Sequence, residues 1–314
     1  MRRIGIDLGG TGIKVGCVSQ QGEILSKVSC PTLAERPYEQ VIDDMANLAR
    51  AAAAQANVDF ADIASVGVGI PGVEDVRTGL VPFCNNLGWR DVPLRAALKE
   101  RLGKQVYVAN DATVAALAEH VAGAGKGYDN LVLITLGTGV GGGVILNGEP
   151  FVGAHGVASE VGHMTIQMDG VLCNCGNRGC WERYASATAL IREGREAIRS
   201  AQGSMIVRAV DGDPDKITAK TVIDCAKAGD PVAVRLFEEY AYHVGLGLAN
   251  LVSAYDPDIF LLGGGVSAAG DFLLDEVRKT LKKRVFYQDM PYAKVELAIL
   301  GNDAGIIGAA MLRG

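Results

Sequence analysis

The stretch IGIDLGGTGIKVG, residues 4–16, decides the predicted fold. Apolar residues on both sides of a glycine-rich centre predict two β-strands joined by a tight turn. The stretch LVLITLGTGVGGGVIL, residues 131–146, repeats this outline. The two stretches align at Ile6 with Ile134, at Leu8 with Leu136 and at Gly9 with Gly137. Two matching hairpins in one chain indicate a fold built by duplication.

Around these hairpins, short apolar strands alternate with helical segments, which is typical of an α/β protein. The run IASVGVGI, residues 63–70, is continuously apolar and predicts a strand buried on both faces. Pro37 begins an alanine-rich helix that reaches about Gln55. Further helices are predicted at about 92–102, 111–121, 182–200, 218–228, 230–254 and 271–285, with a closing helix from Asp303.

Length and charge limit the classes of function. A chain of 314 residues is long enough for two domains or one large α/β unit. A net charge of −6 argues against nucleic acid or a membrane surface as a partner. The start, Met1-Arg-Arg, runs directly into the first strand, and no apolar stretch reaches the roughly 18 residues needed to span a bilayer. Together with scattered cysteines, these features predict a cytoplasmic protein.

Three glycine motifs resemble the G-x-G-x-x-G pattern of a dinucleotide-binding turn, which should lie between a strand and a helix. Two of them, GVGIPG (67–72) and GTGVGG (137–142), do not open a helix and are discounted. The third, GGGVSA (263–268), lies between a predicted strand and a predicted helix. Because helix N-termini attract phosphate, Gly264 and Gly265 in this turn are candidate nucleotide contacts.

The segment from 154 to 182 holds a cysteine cluster of metal-binding type. Cys173, Cys175 and Cys180 form a C-x-C-x4-C pattern, with glycines that allow tight turns. His163, ten residues upstream, would complete the closed tetrahedral set that Zn2+ prefers, so the predicted zinc is structural. The alternatives are buried thiols or a disulfide, and a bridge from Cys173 to Cys175 would close a small, strained ring.

Two glutamates, Glu160 and Glu182, flank the cluster in the sequence. Each could be an ordinary solvated surface charge. Their neighbours are a predicted zinc ligand and several small residues, which favours a second interpretation. In that interpretation the metal folds both carboxylates toward one pocket and also holds His163 in place.

These motifs together resemble those of a known family. The two hairpins, with an aspartate in the first, and the late GGG turn resemble the fold of actin and the sugar kinases. E-x-G-H at 160–163, followed by C-x-C-G-x-x-G-C-x-E at 173–182, resembles the signature of the ROK family (repressor, open reading frame, kinase). Within that family, CNCGNRGCWERYASATAL and the LGW of 87–89 are most similar to the ATP-dependent glucokinases of Gram-positive type.

The resemblance implies an α/β, actin/hexokinase-like (ribonuclease H-like) fold of two duplicated domains, with a nucleotide and sugar cleft between the domains. The N-terminal domain would comprise residues 1–120 plus 303–314. The C-terminal domain, with the zinc-binding segment, would comprise residues 121–302. A homodimer or homotetramer is usual in the family.

The resemblance assigns the two hairpin turns to ATP. Glycine turns expose N–H groups to phosphate oxygens, hydroxyls and a lysine add donors, and an aspartate can hold Mg2+ through water. Taken alone, Asp7 would more often be a turn or capping residue. The implied contacts to phosphate and magnesium are Asp7, Gly9, Gly10, Thr11, Lys14, Gly137, Thr138 and Gly139.

The pair Asn110-Asp111 matches the sugar-binding and catalytic positions of the family. By itself, either residue could simply be the N-cap of the following helix. The resemblance implies instead that Asp111 accepts the proton of the sugar 6-hydroxyl while Asn110 binds a neighbouring hydroxyl. The other implied sugar contacts are Gly72, Glu160, His163 and Glu182.

The implied activity is that of a glucokinase, with glucose and ATP as substrates, Mg2+ as the catalytic cofactor and Zn2+ as a structural one. The alternatives are a kinase of mannose, fructose or N-acetylmannosamine, a sugar sensor without catalysis, and a filament-forming relative of actin. We expect loss of zinc to abolish glucose binding but to spare part of the nucleotide binding, because the hairpins are expected to be distant from the metal segment.

Overall fold

The computed structural model describes residues 1–201 and 203–313 of the chain. These residues form two compact units. Unit 1 contains Met1–Leu133, Gly143–Ser159 and the segment that begins at Ala298. Unit 2 contains Ile134–Gly142 and Glu160–Leu297. The predicted domain boundaries near residues 120 and 303 remain a prediction, because a compact unit need not coincide with one copy of a duplicated domain.

Strands and helices alternate along the chain in the predicted α/β manner. The β-strands are β1 (Arg2–Leu8), β2 (Gly12–Ser19), β3 (Ile24–Pro31), β4 (Ile63–Ile70), β5 (Val81–Cys84), β6 (Trp89–Val92), β7 (Val106–Asn110), β8 (Leu131–Leu136), β9 (Val140–Leu146), β10 (Glu149–Pro150), β11 (Ile259–Gly263) and β12 (Lys294–Leu297). The α-helices are α1 (Tyr38–Gln55), α2 (Leu94–Leu102), α3 (Asp111–Ala122), α4 (Glu182–Ala185), α5 (Ala187–Ala197), α6 (Met205–Ala209), α7 (Ala219–Lys227), α8 (Pro231–Tyr255), α9 (Asp271–Arg284) and α10 (Ala304–Met311).

Unit 1 is built on a five-stranded sheet of order β3-β2-β1-β4-β7. Strands β1, β2 and β3 form the predicted antiparallel meander, whereas β4 and β7 run parallel to β1. The register places Asp7 opposite Lys14 on neighbouring strands. Helix α1 covers one side of this meander with a fully buried stripe at Val41, Ile42 and Met45. The sheet therefore fixes both ends of the first glycine turn.

Helix α10 packs against this sheet almost backbone to backbone. A Cβ atom added to Gly5 in β1 would lie 1.9 Å from Ile306 O, and one added to Gly67 in β4 would lie 1.7 Å from Ala309 O. Helix α10 also packs closely on α3, because a Cβ added to Gly308 would lie 1.6 Å from Val114 O. Only glycine permits this spacing, so these positions bring the N-terminus of α10 close to the end of β1.

The second five-stranded sheet has the order β10-β9-β8-β11-β12. The chain passes from unit 1 into unit 2 within β8 and returns within β9. In unit 2, the fully buried Trp181 packs on α8, where a Cβ on Gly247 would lie 2.0 Å from Trp181 Cε2. Its Nε1 donates to His243 O at 2.8 Å. The residues that follow the cysteine cluster are therefore anchored on the longest helix of this unit.

Two local features differ from the sequence prediction. The helix predicted at about 182–200 is interrupted at Ser186, whose Oγ accepts a hydrogen bond from Ala189 N and begins α5 as its N-cap. Strands β5 and β6 form an unpredicted hairpin around a 3-10 turn at Asn85–Leu87, closed by Gly88 with φ of 65°.

Among the described residues, none of the helices combines the length and the apolar character that a bilayer crossing requires.

Candidate active site

The first glycine turn joins β1 to β2 in unit 1. Its backbone is closed by a hydrogen bond of 2.9 Å from Gly9 N to Gly12 O. The buried Thr32, which directly follows β3, supports the turn: its Oγ1 donates to Gly9 O at 2.6 Å and its N–H donates to Thr11 O at 3.1 Å. Thr32 was not predicted, because its contact is made across the sheet. The first turn is therefore held in place by residues of its own sheet.

Asp7 and Lys14 face each other at the base of this turn. Lys14 Nζ lies 3.4 Å from Asp7 Oδ2, and the two side chains keep 38% and 22% of their surface exposed. The first turn of α10 lies close by, since a Cβ on Gly305 would be 2.6 Å from Asp7 Cγ. An aspartate that is oriented in this way and still reaches solvent could bind a hydrated Mg2+.

Asn110 is the N-cap of α3. Its Oδ1 accepts hydrogen bonds from Ala112 N at 2.8 Å and Thr113 N at 3.4 Å. Its Nδ2 donates to Gly72 O at 3.2 Å, so two predicted sugar contacts lie together. The sequence leaves open which residue of the pair caps the helix, and the structure answers that it is Asn110. Whether Asn110 and Gly72 also bind sugar remains a prediction.

Asp111 is the first residue of α3, and its side chain is exposed. Its Oδ1 accepts a hydrogen bond from Ala112 N at 2.8 Å. Cys84 lies within electrostatic reach: burial chiefly raises the pKa of this thiol, and the charge of Asp111 raises it further. An exposed carboxylate can accept a proton from a substrate hydroxyl, which is the chemistry of a general base.

The second glycine turn joins β8 to β9 in unit 2. Its backbone is closed by a hydrogen bond of 3.0 Å from Gly137 N to Gly139 O. Helix α5 supports it, because Ala187 N donates to Gly137 O at 2.8 Å and Thr188 Oγ1 donates to Thr138 O at 2.7 Å. Thr188 was not predicted, and no local pattern marks it, since it is 50 residues away from its partner.

Glu182 also contacts this turn. Its Oε2 accepts a hydrogen bond of 3.1 Å from Val140 N, the first residue after the turn. A Cβ on Gly139 would lie only 2.2 Å from this oxygen, so a larger residue at position 139 would displace the carboxylate of Glu182. The expectation that the hairpins are distant from the metal segment is therefore wrong for the second hairpin. A sugar contact by Glu182 remains a prediction.

The GGG turn after β11 lies beside the second glycine turn. Gly264 has φ of 83°, and a Cβ there would be 2.5 Å from Leu136 O, directly before the second turn. A 3-10 turn over Gly265–Ala269 separates β11 from α9. Within unit 2, the structure thus brings two of the predicted nucleotide-binding turns together, although their contact with a nucleotide remains a prediction.

The predicted metal ligands meet at one point in unit 2. One ligand atom from each of His163, Cys173, Cys175 and Cys180 lies within 4.8 Å of the other three. Cys175 Sγ and Cys180 Sγ are 3.6 Å apart, and Cys173 Sγ and His163 Nδ1 are 3.8 Å apart. Zn–S bonds of about 2.3 Å in a tetrahedron place sulfur atoms about 3.8 Å apart, so the four residues fit zinc.

The thiols of the cluster are free, and none of these cysteines forms a disulfide. Gly176 and Gly179 have φ of 93° and 77°, as the predicted tight turns require. Burial raises the pKa of the Cys180 thiol to about 12, whereas hydrogen bonding, chiefly from the backbone N–H of Asn177, lowers the pKa of Cys175. A bound zinc ion would hold all three as thiolates, because a coordinating thiol is deprotonated.

His163 presents its two ring nitrogens to different partners. Nδ1 belongs to the metal cluster, while Nε2 lies 4.0 Å from Glu160 Oε2. The side chains of His163 and Glu160 are 38% and 43% exposed, so both keep surface available to a ligand. This division of the ring is the geometry needed for a residue that binds zinc on one side and a hydroxyl on the other.

Comparison with known proteins places this geometry in a family. Residues 3–313 match the profile of the ROK family. A glucokinase of Streptomyces coelicolor is 41% identical over 312 residues, which is 98% of this chain and 96% of that protein. The crystal structure of a ROK family glucokinase from Streptomyces griseus, in complex with glucose and AMPPNP, is 40% identical with a TM-score of 0.80 and covers 99% of this chain and 98% of that one.

A second solved structure, a ROK hexokinase from Thermus thermophilus, is 35% identical with a TM-score of 0.86, covering 99% of this chain and 97% of that one. These similarities extend over nearly the whole of each chain. They confirm the predicted fold class, the duplicated actin/hexokinase-like α/β fold.

Proposed function

The chain belongs to the ROK family, and we propose that it is an ATP-dependent glucokinase, which transfers the γ-phosphoryl group of ATP to the 6-hydroxyl of glucose. The products are glucose 6-phosphate and ADP. One observation carries this proposal above others: a glucokinase that binds glucose and AMPPNP matches this chain at 40% identity over nearly its full length.

In unit 1, the proposed chemistry belongs to Asn110 and Asp111. Asp111 accepts the proton of the attacking 6-hydroxyl, and its exposed position at the start of α3 supports this role. Asn110 orients the sugar through a neighbouring hydroxyl. Because Asn110 already caps the helix and donates to Gly72 O, its side chain is held in one orientation before any substrate arrives.

The two glycine turns are the proposed phosphate-binding elements. In the first, Thr11 and the N–H groups of Gly9 and Gly10 bind phosphate oxygens, with Lys14 beside them as a cation. When bound to ATP, Mg2+ neutralises charge on the phosphate oxygens. Asp7 would hold that ion, and the contact with Lys14 keeps the carboxylate of Asp7 oriented. In the second turn, Gly137, Thr138 and Gly139 bind phosphate with the support of Gly264 and Gly265.

In unit 2, the metal cluster is the proposed support of the sugar-binding residues. His163, Cys173, Cys175 and Cys180 would hold a zinc ion, which would make this segment rigid. His163 Nε2, Glu160 and Glu182 bind sugar hydroxyls. The 4.0 Å distance between His163 Nε2 and Glu160 Oε2 supports a shared hydroxyl contact for this pair.

A coupled assay over a panel of hexoses and phosphoryl donors tests this function. We expect the highest kcat/KM with glucose and ATP, and lower values with mannose, fructose and N-acetylmannosamine. No turnover with any hexose, despite binding of glucose and ATP, would favour a sugar sensor and overturn the proposal. Higher kcat/KM with another hexose would keep the kinase and change its substrate.

The seven free cysteines and the composition support a cytoplasmic location. A homodimer or homotetramer is proposed from the resemblance to the family. Sedimentation equilibrium of the full chain would decide between these states and a monomer.

A further inference from the structure

The hairpin formed by β5 and β6 in unit 1 has no part in the function proposed above, yet it contacts two of the proposed substrate-binding elements. The first is the loop after β4, where an isolated bridge pairs Val73 with Phe83 of β5. The second is the first glycine turn, since a Cβ on Gly10 would lie 3.3 Å from Asn86 O. The hairpin therefore lies against both a proposed sugar-binding loop and a proposed phosphate-binding turn.

Cys84, the last residue of β5, connects the hairpin to the loop after β4. Its side chain is fully buried, and its Sγ donates a hydrogen bond to Pro71 O at 3.2 Å. Burial raises the pKa of this thiol, although the backbone N–H groups of Leu87 and Asn86 act in the opposite direction. The group therefore stays protonated at neutral pH, and a protonated thiol can donate.

Gly72, the next residue of this loop, contacts both Cys84 and Asn110. A Cβ added to Gly72 would lie 2.9 Å from Phe83 O and 3.1 Å from Cys84 Cβ, so the loop packs directly on the hairpin. Its carbonyl oxygen accepts a hydrogen bond of 3.2 Å from Asn110 Nδ2. Two successive carbonyl groups of the loop are thus bound, that of Pro71 by the thiol and that of Gly72 by the amide.

We propose that Cys84 is a positioning residue for the sugar. Through its bond to Pro71 O, it holds the loop that carries Gly72, and the loop in turn holds the amide of Asn110. Asn110 has one other anchor, its cap on α3, so a shift of the loop would free the Nδ2 end of this side chain. The inference rests on the proposed function, in which Gly72 and Asn110 bind glucose.

The rival explanation is that Cys84 only fills space in the core. Buried cysteine often behaves as a small hydrophobic residue, and Cys84 belongs to the same cluster of buried apolar residues as Cys17. Cys17 is also fully buried, but it lies in the middle of β2, paired with Ile4 and Ser26 on the neighbouring strands. A comparison of these two cysteines separates packing from positioning.

Steady-state kinetics of Cys84→Ala on the full chain is the first test. Loss of one hydrogen bond should raise the KM for glucose about fivefold, since such a bond contributes about one RT-scaled decade or less to affinity. The kcat and the KM for ATP should stay within about twofold of wild type, because the change removes binding that the ground state and the transition state share. A role in packing alone would not produce this division.

Two further variants sharpen the test. Cys84→Ser keeps a donor for Pro71 O, so its KM for glucose should lie closer to that of wild type than to that of Cys84→Ala. Cys17→Ala is the matched control, because it also removes a buried thiol from the same core. It should lower the urea midpoint about as much as Cys84→Ala does and leave the KM for glucose unchanged.

Three results would overturn the proposal. They are an unchanged KM for glucose in Cys84→Ala, an equal rise in Cys17→Ala, and a Cys84→Ser variant that is no better than Cys84→Ala. Calorimetric titration with glucose gives the same comparison without turnover. A wild-type protein that binds glucose but phosphorylates no hexose would therefore overturn the glucokinase proposal and leave the role of Cys84 to be decided by the titrations.

Discussion

The two glycine turns each connect two neighbouring strands through three residues, but they are held in place by different parts of the molecule. The first is supported by its own sheet, through Thr32 and the contact between Asp7 and Lys14. The second is supported by Glu182 and Thr188, which lie just beyond the last cysteine of the metal cluster. The difference indicates that one proposed phosphate site is independent of the metal, whereas the other depends on it.

The largest effect should come from a residue of unit 1, the unit that does not contain the metal cluster. Asp111→Asn should lower kcat by 10²–10⁴-fold, because the amide cannot accept the proton of the 6-hydroxyl. Helix α3 should remain intact, since its cap is Asn110. The measurement is steady-state kinetics beside zinc content, which should equal that of wild type. A variant with unchanged kcat would remove Asp111 from the proposed chemistry.

A smaller but broader effect should follow from Cys175→Ser. Loss of zinc would release the segment that carries His163 and Glu182, and a misplacement of about 1 Å can cost 10²-fold in rate. We expect loss of metal, of glucose affinity and of part of the ATP affinity, measured by metal analysis and separate calorimetric titrations. Cys225→Ser is the matched control, because Cys225 lies in α7, outside the cluster. A metal-free protein that binds glucose normally would contradict the proposed role of zinc.

The carboxylates beside the cluster should differ in what they affect. Glu182→Ala leaves Val140 N without its partner, which costs about 1–3 kcal/mol, and should lower ATP affinity by about 10–100-fold. Glu160→Ala, which removes a neighbour of His163, should lower glucose affinity and leave ATP affinity near that of wild type. Equal ATP affinity in the two variants would mean that Glu182 does not support the second turn.

The smallest expected effect comes from single hydroxyls. Thr188→Val removes the bond to Thr138 O and Thr32→Val removes the bond to Gly9 O, each at a cost of about 1 kcal/mol or roughly fivefold in ATP affinity. The two variants should differ once zinc is removed. ATP binding by metal-free Thr188→Val should match that of metal-free wild type, whereas metal-free Thr32→Val should still show its own deficit. If zinc removal and the substitution each lowered ATP affinity independently in both variants, the conclusion that only the second turn depends on the metal would be wrong.

The local parts of this arrangement were predictable from the sequence. Alternation of apolar residues with glycine predicted both hairpins, and cysteine spacing predicted a cluster whose four ligand atoms do converge. The bonds that support the second turn were not predictable, because they join residues 42 and 50 positions apart and leave no periodic trace. Gly5 and Gly67 lie inside strands, and glycine at such positions can indicate that another backbone approaches closely. It could not have indicated that the approaching element is α10.

Buried polar residues show the same limit. From the sequence, Glu119 would be expected on the polar face of an alanine-rich helix. In the structure it is 1% exposed and accepts hydrogen bonds from Ala124 N, Ile299 N and Leu300 N, each at 2.8 Å. Its role depends on a segment 180 residues away, which local pattern cannot reveal.

Hydrogen exchange at the two turns, with and without zinc, tests the central claim most directly. The amides to compare are Val140 N, which donates to Glu182, and Gly9 N, which donates to Gly12 O. Removal of zinc by chelation should speed exchange at Val140 and leave the rate at Gly9 unchanged, because only the second turn depends on the metal segment. Unchanged exchange at both amides, or equal acceleration at both, would contradict the claim that zinc holds one phosphate-binding turn and not the other.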